Sequence, residues 1–288
     1  VKKMARGVLP LIVIATTAFF FYKAFVPPQE FPSRIAFIEP SLVHIDNDFY
    51  DAENMAAQWH DAQEGWARGL HAFNQARVGY IFNLIKQQYE QAFAIKQQPI
   101  KLKWASIGCG GGILELELMK VIIAANFSHL EFELVGIDRS PRSIEEAKRE
   151  WRKQYELLLT ELSPTTHVPS ADVLKFKVGD AYKVPLDNNS FNGVIIADVL
   201  EHLNDLPTAV SEIKRILIKN DQTASIMAFD TIDRSWASNI AVKILAEFVG
   251  MVPSNVHDYR LFIKPTEMVE LLIDKFEFKS IDWKGLDM

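Results

Sequence analysis

Glycine recurs in Gly108-Cys109-Gly110-Gly111-Gly112, between an apolar run ending at Ile107 and a helix-like segment opening at Ile113. Without a Cβ, the backbone there can turn sharply and come close to a bound molecule. Two aspartates hold comparable places further on. Asp138 closes the run Leu130–Ile137, and Asp180, in Val178-Gly179-Asp180-Ala181, closes the run Leu174–Val178. A carboxylate at the first position could accept hydrogen bonds from both hydroxyls of a ribose, and one at the second from the amino group of a base. Each could equally be an ordinary turn aspartate. A third group, Asp198-Val199-Leu200-Glu201-His202, follows the run Gly193–Ala197. Asp198 and His202 stand four apart, on one face if the loop turns into a helix. With Glu201 they could gather around a cation. Otherwise Glu201 and His202 hold the loop, with His202 a general base.

These positions are strand ends. Strands are expected over Leu102–Ile107, Leu130–Ile137, Leu174–Val178, Gly193–Ala197, Ala224–Phe229 and Phe276–Ile281. Helices are expected over Ala52–Trp59, Ala72–Phe93, Ile113–Ala125, Ser143–Leu162, Leu206–Ile218 and Met268–Asp274, with Ser140 or Ser143 capping the long charged one. Strands alternating with helices predict an α/β fold with a doubly wound, mostly parallel sheet, which binds ligands at the carboxyl ends of its strands. Ile113 stands where the third glycine of G-x-G-x-x-G belongs, and no Lys-Ser/Thr pair follows, so neither a dinucleotide fingerprint nor a P-loop fits. Gly108-x-Gly110-x-Gly112 after a first strand is similar to the S-adenosylmethionine (SAM) loop of Rossmann-like class I methyltransferases. With Asp138, Asp180 and Ala181 it makes SAM the expected ligand.

Four segments together resemble the ubiquinone-biosynthesis O-methyltransferases. They are Trp59-His60-Asp61 through His71-Ala72-Phe73-Asn74-Gln75-Ala76-Arg77 to Ile81, Gly108 through Leu114, Asp198-Val199-Leu200-Glu201-His202-Leu203, and Met251 through Asp258 followed by Phe262-Ile263-Lys264-Pro265. The resemblance covers roughly residues 49–287, and the first and last segments are its most specific part. It implies that Arg77, Gly108 and Asp138 contact SAM, that the backbone near Ala197 does too, and that some members hold Mg2+ at Asp198, Glu201 and His202. A forked guanidinium at Arg77 suits the methionine carboxylate. His257 enters as a second base candidate through its place in the fourth segment. Three departures stand out. Ser106 replaces the family's usual Asp, removing a charge near the cofactor's sulfonium. Lys219-Asn220-Asp221-Gln222 replaces a K-P-G-G turn. The chain also ends at Met288, soon after Trp283, where the family continues for another strand, so a truncated carboxyl terminus is expected.

Val8–Val26 is nearly all apolar, preceded by Lys2, Lys3 and Arg6 and stopped by Pro27-Pro28. It is long enough for a transmembrane helix across a bilayer core of about 30 Å. Residues 1–27 therefore read as a single-pass anchor, with a cleaved secretory signal or an organelle presequence with a hydrophobic sorting segment as alternatives. Residues 28–48 read as a linker and 49–288 as the catalytic domain. Ser235–Val252 is apolar around much of its circumference and suits a segment dipping into a lipid interface. A net charge of −6 argues against broad nucleic-acid binding. The single cysteine, Cys109, excludes an internal disulfide and fits the loop as a small packing residue.

The function expected is transfer of a methyl group from SAM to a phenolic hydroxyl of a polyprenylated catechol or quinol. Such an enzyme would sit at a membrane, the mitochondrial inner membrane in particular, beside other quinone-biosynthesis proteins. The alternatives are another small-molecule, sterol or protein acceptor, or a non-catalytic subunit of a membrane complex.

Overall fold

A computed structural model describes residues 33–43, 45–46, 48–162, 168–219, 224–240, 256–279 and 282 of the chain. The apolar run Val8–Val26, most of Ser235–Val252, residues 251–255 of the fourth segment and residues 283–288 lie outside that set. Among the described residues no helix is long and apolar enough to cross a membrane.

Five parallel strands form the sheet: β1 Ile100–Ile107, β2 Leu130–Asp138, β3 Leu174–Val178, β4 Gly193–Ile196 and β5 Ile226–Phe229, in the order β3-β2-β1-β4-β5. The main helices are α1 Arg68–Lys96, α2 Ile113–Ala125, α3 Pro141–Glu161, α4 Leu206–Ile216 and α5 Pro265–Val269, the last running into a π-helical turn over Glu270–Lys275. Side chains alternate across a strand, and both faces of this sheet are apolar. Leu102, Trp104 and Leu134 point into one core with Ile85, Met119 and Ile144 from α1–α3. Ile107, Ile137 and Val194 point into a second core with Val210 and Ile213 of α4 and Met268 of α5. The strand order reverses between β1 and β4, and a crevice opens there at the carboxyl ends.

The helix caps follow the residue types. The Ser140 hydroxyl accepts from the Ser143 amide at 3.0 Å, with Pro141 in the first turn of α3. Asp205 caps α4 by accepting from the Thr208 amide at 3.0 Å.

Three expectations are corrected. No strand forms over Phe276–Lys279. Those backbone groups close the helix end instead, the Phe278 amide donating to the Leu272 carbonyl at 2.8 Å and the Phe276 carbonyl accepting from Lys214 Nζ at 2.5 Å. The expected helix over Ala52–Trp59 shrinks to Glu53–Ala56, because the chain breaks into turns that aim Trp59 inward. The supposed linker is anchored along its described part: Arg34 and Ile38 are buried, and Ile38 donates its amide to the Asn204 carbonyl at 2.9 Å.

Candidate active site

The loop after β1 is held in conformations that favour glycine. Gly108, Gly110 and Gly112 have φ of 76°, 51° and 81°. The Gly110 amide donates to Asp138 Oδ2 at 2.8 Å, and the Ser140 amide donates to Asp138 Oδ1 at 2.8 Å. Asp138 therefore ties the glycine loop to the start of α3, and each of its oxygens retains a further lone pair for a ligand. Burial pushes its carboxyl above the usual range, opposed by the amide hydrogen bonds. A Cβ added at Gly110 would lie 2.4 Å from the Trp59 ring. The glycines are thus needed for packing under an indole as well as for approach to a ligand.

The first family-like segment builds that roof. Trp59 Nε1 donates to the Ser143 hydroxyl at 2.9 Å, His60 Nε2 meets the Gly111 carbonyl at 2.9 Å, and His71 Nε2 meets the Trp59 carbonyl at 2.9 Å. Asn74 Nδ2 donates to the Ile113 carbonyl at 3.3 Å. Tyr50 stacks on Trp59 with ring centroids 5.7 Å apart and presents an edge to His202 at 6.2 Å.

Arg77, on α1, meets two carboxylates: Nη2 lies 2.6 Å from Asp198 Oδ2, and Nε 2.7 Å from Asp230 Oδ2. Burial opposes its charge, but the two aspartates outweigh burial and hold the guanidinium above its ordinary value. Asp198 has a φ of 53°, a left-handed conformation uncommon for a side-chain-bearing residue and typical of functional sites. Its amide donates to Asp230 Oδ1 at 2.8 Å. Burial and then Asp230 push its carboxyl up, against the pull of Arg77.

That geometry corrects the expected cation group. Asp198 is turned to Arg77, and the ligand atoms of Glu201, His202 and His257 lie within 4.8 Å of one another instead. Leu200–His202 forms a single 3-10 turn rather than the start of a helix. Glu201 is fully buried and its Oε2 accepts from the Thr231 hydroxyl at 2.9 Å. Burial, followed by the Asp198 charge, raises its pKa. Burial pulls the His202 imidazole down to about 4 despite a hydrogen bond with the Val256 backbone. The His202 and His257 rings lie 5.0 Å apart.

A cavity of about 2000 Å³ joins these groups. Gly108, Gly110, Asp138, Ala197 and Asp198 line it with His202 and His257. Asp180, exposed, and Ala181, half-buried, also line it, and Asp180 Oδ1 accepts from the Tyr182 amide at 2.8 Å in an Asx turn. Gly112 lies behind the loop, where a Cβ would be 2.9 Å from Phe176. Cys109 is buried and its thiol is pushed well up by burial, which makes it a packing residue.

Sequence reasoning missed Asp230, Glu115, Tyr50 and Arg34. Asp230 had a signal, as the first polar residue after β5. Glu115 is buried in the first turn of α2, its Oε1 accepting from the Ser106 hydroxyl at 2.5 Å. Arg34 Nη2 donates to the Leu200 carbonyl at 3.2 Å and the Leu203 carbonyl at 2.5 Å, and its amide donates to Glu267 Oε1 at 3.1 Å. No local pattern announces that clamp.

Comparison with known proteins agrees with this geometry. A family described as a methyltransferase domain matches residues 105–223. The ubiquinone biosynthesis O-methyltransferase of Pelagibacter ubique is 28% identical over 221 residues, 75% of this chain and 78% of that protein. The protein of the same name from Bartonella bacilliformis is 27% identical over 233 residues, 81% of this chain and 82% of its own length. The crystal structure of the DszA carbon methyltransferase shares the fold, with a TM-score of 0.51 at 14% identity over 80% of this chain and 53% of that one.

Proposed function

We propose that this class I SAM-dependent methyltransferase moves the methyl group onto a phenolic hydroxyl of a polyprenylated ubiquinone precursor. The observation carrying this reading is one cavity lined both by the glycine loop after β1 and by His202 and His257. Its volume exceeds the roughly 300–1,000 Å³ of a usual small-molecule pocket, leaving room for a second reactant. The names of the relatives in Pelagibacter ubique and Bartonella bacilliformis support the acceptor class.

Gly108, Gly110 and Asp138 fit the nucleoside part of SAM, because the loop already adopts left-handed turns and Asp138 has lone pairs left for hydroxyl donors. Bound SAM supplies a methyl carbon on a sulfonium, open to in-line displacement. The chain must align the acceptor oxygen with that carbon, which lowers the barrier by several kcal/mol through proximity alone. It must also manage a phenol proton, whose pKa is near 10 by analogy with tyrosine. His202, at about 4, is mismatched to that task.

Glu201, His202 and His257 could relieve that mismatch by holding a cation. The fit is supported by two buried atoms without hydrogen-bond partners, Glu201 Oε1 and His202 Nδ1. Two imidazoles and one carboxylate suit a borderline transition ion better than Mg2+, which favours oxygen donors. When bound there, a cation would lower the phenol's pKa.

The polyprenyl tail of such an acceptor ties the reaction to a lipid surface, the mitochondrial inner membrane on this reading. The apolar run Val8–Val26 in the sequence supports an anchor. The test is incubation of the full chain with labelled SAM and a short-prenyl catechol, with and without a chelator. Transfer to the prenylated catechol is expected, reduced by chelation. SAM binding with transfer only to a tail-free catechol, sterol or protein would replace the acceptor, and binding without any transfer would leave a scaffold.

A further inference from the structure

The reading of the cavity as a SAM site leaves one buried group unused. Glu115 lines the cavity at 1% exposure, in the first turn of α2. Its Oε1 is engaged by Ser106, but Oε2 has no hydrogen-bond partner. A buried carboxyl left half-satisfied costs stability unless something else completes it. The protein offers little help. The charged group acting on Glu115 is another carboxylate, Asp138, which repels it, and burial raises its pKa to about 7. Across the cavity Arg77 is already committed to Asp198 and Asp230. The glycine-loop side of the cavity therefore carries two acids, buried Glu115 and half-buried Asp138, with the exposed Arg139, 3.6 Å from Asp48, as the cation beside them.

We propose that Glu115, steadied by Ser106, is a cofactor-binding residue that pairs with the cationic aminoacyl-sulfonium end of SAM. The inference rests on the SAM reading of this cavity. The Ser106 hydroxyl donates to Oε1, which leaves Oε2 as the carboxyl oxygen without a partner. The helix start adds a favourable field, since partial positive charge gathers at the first turn. A carboxylate at residue 115, on the helix, thus does what one at residue 106, on the strand, would do. A ligand with net positive charge binds better than its neutral product, so the residue favours release after transfer.

Two cationic centres belong to this ligand, the sulfonium and the ammonium, and two probes separate them. SAM carries both, whereas S-adenosylhomocysteine carries the ammonium alone. Affinities for both are measured by titration calorimetry on the full chain, with thermal unfolding of each variant as the folding control. Glu115→Gln keeps the shape and the contact with Ser106 but removes the charge. It is expected to weaken SAM by about tenfold or more, as expected for loss of a buried charge-assisted contact. A loss confined to SAM assigns Glu115 to the sulfonium, and an equal loss for both ligands assigns it to the ammonium.

The double variant Ser106→Asp/Glu115→Ser moves the carboxylate to the strand end, and recovery of most of the lost affinity is expected. Wild-type SAM affinity in folded Glu115→Gln overturns this inference while leaving the methyltransferase reading intact. A wild-type chain that binds no SAM overturns both.

Discussion

At the scale of residues, the site is a set of acids that burial would rather keep neutral. Glu115 illustrates the consequence for stability. Burial raises its folded pKa to about 7, above the 4.5 ordinary for a glutamate. The folded chain therefore holds a proton that the unfolded chain releases between those values. Stability from this group is complete below pH 4.5 and is lost as pH rises through 7, a change on the order of 3 kcal/mol. Urea unfolding of the cofactor-free chain should show falling stability from pH 5 to pH 8, and Glu115→Gln should flatten that slope. An unchanged slope would mean that the carboxyl is solvated. Gly110 is constrained twice, by its φ of 51° and by Trp59 at 2.4 Å from an added Cβ. Gly110→Val is expected to lower the thermal midpoint and abolish SAM binding together, because the loop cannot keep its bend under the indole. Retention of SAM affinity by that variant would contradict the loop assignment.

At the scale of elements, the segment over residues 33–43 fixes the turn Leu200–His202 from outside. Arg34 spans the carbonyls of Leu200 and Leu203, which flank Glu201 and His202. Burial lowers the guanidinium to about 10, leaving it charged at neutral pH. Glu267 joins the same arrangement, accepting from the Arg34 and Lys264 amides and pairing with Arg234. Arg34→Met should cost roughly 1–3 kcal/mol for each carbonyl left without its donor. Its methylation rate should fall further than its SAM affinity, because the turn that moves bears Glu201 and His202 rather than the glycine loop. Equal rates for the folded variant and wild type would reduce the clamp to a packing contact.

At the scale of the whole molecule, the fold puts the glycine loop, His202 and His257 at one end of a sheet covered on both faces, so any affinity for lipid would have to come from segments outside that core. Two weak anchors hold far better than one. Deletion of residues 1–27 should release the chain partly from membranes in a flotation assay, with Ser235–Val252 retaining the rest. Complete release would remove the role assigned to that second segment, of which Trp236 is half exposed in the described part.

Much of this organisation was legible in the chain. Apolar runs alternating with helical patterns located the five strands and put Gly108, Asp138 and Ala197 at their carboxyl ends. Helix α2 lies where its run of apolar residues placed it, Ile113–Ala125. Such features are local, because alternation and capping involve neighbours within a few residues. The partners of the buried charges were not legible. Asp198 and His202 stand at a spacing that suggested a shared cation, yet a left-handed backbone at Asp198 sends its carboxylate to Arg77, 121 positions earlier in the chain. His257 enters the group from another loop, and Glu115 completes Ser106 from the following helix. Those pairings depend on which strand ends the crossovers bring together, and on how burial penalises each unpaired charge. Residue order alone carries neither quantity.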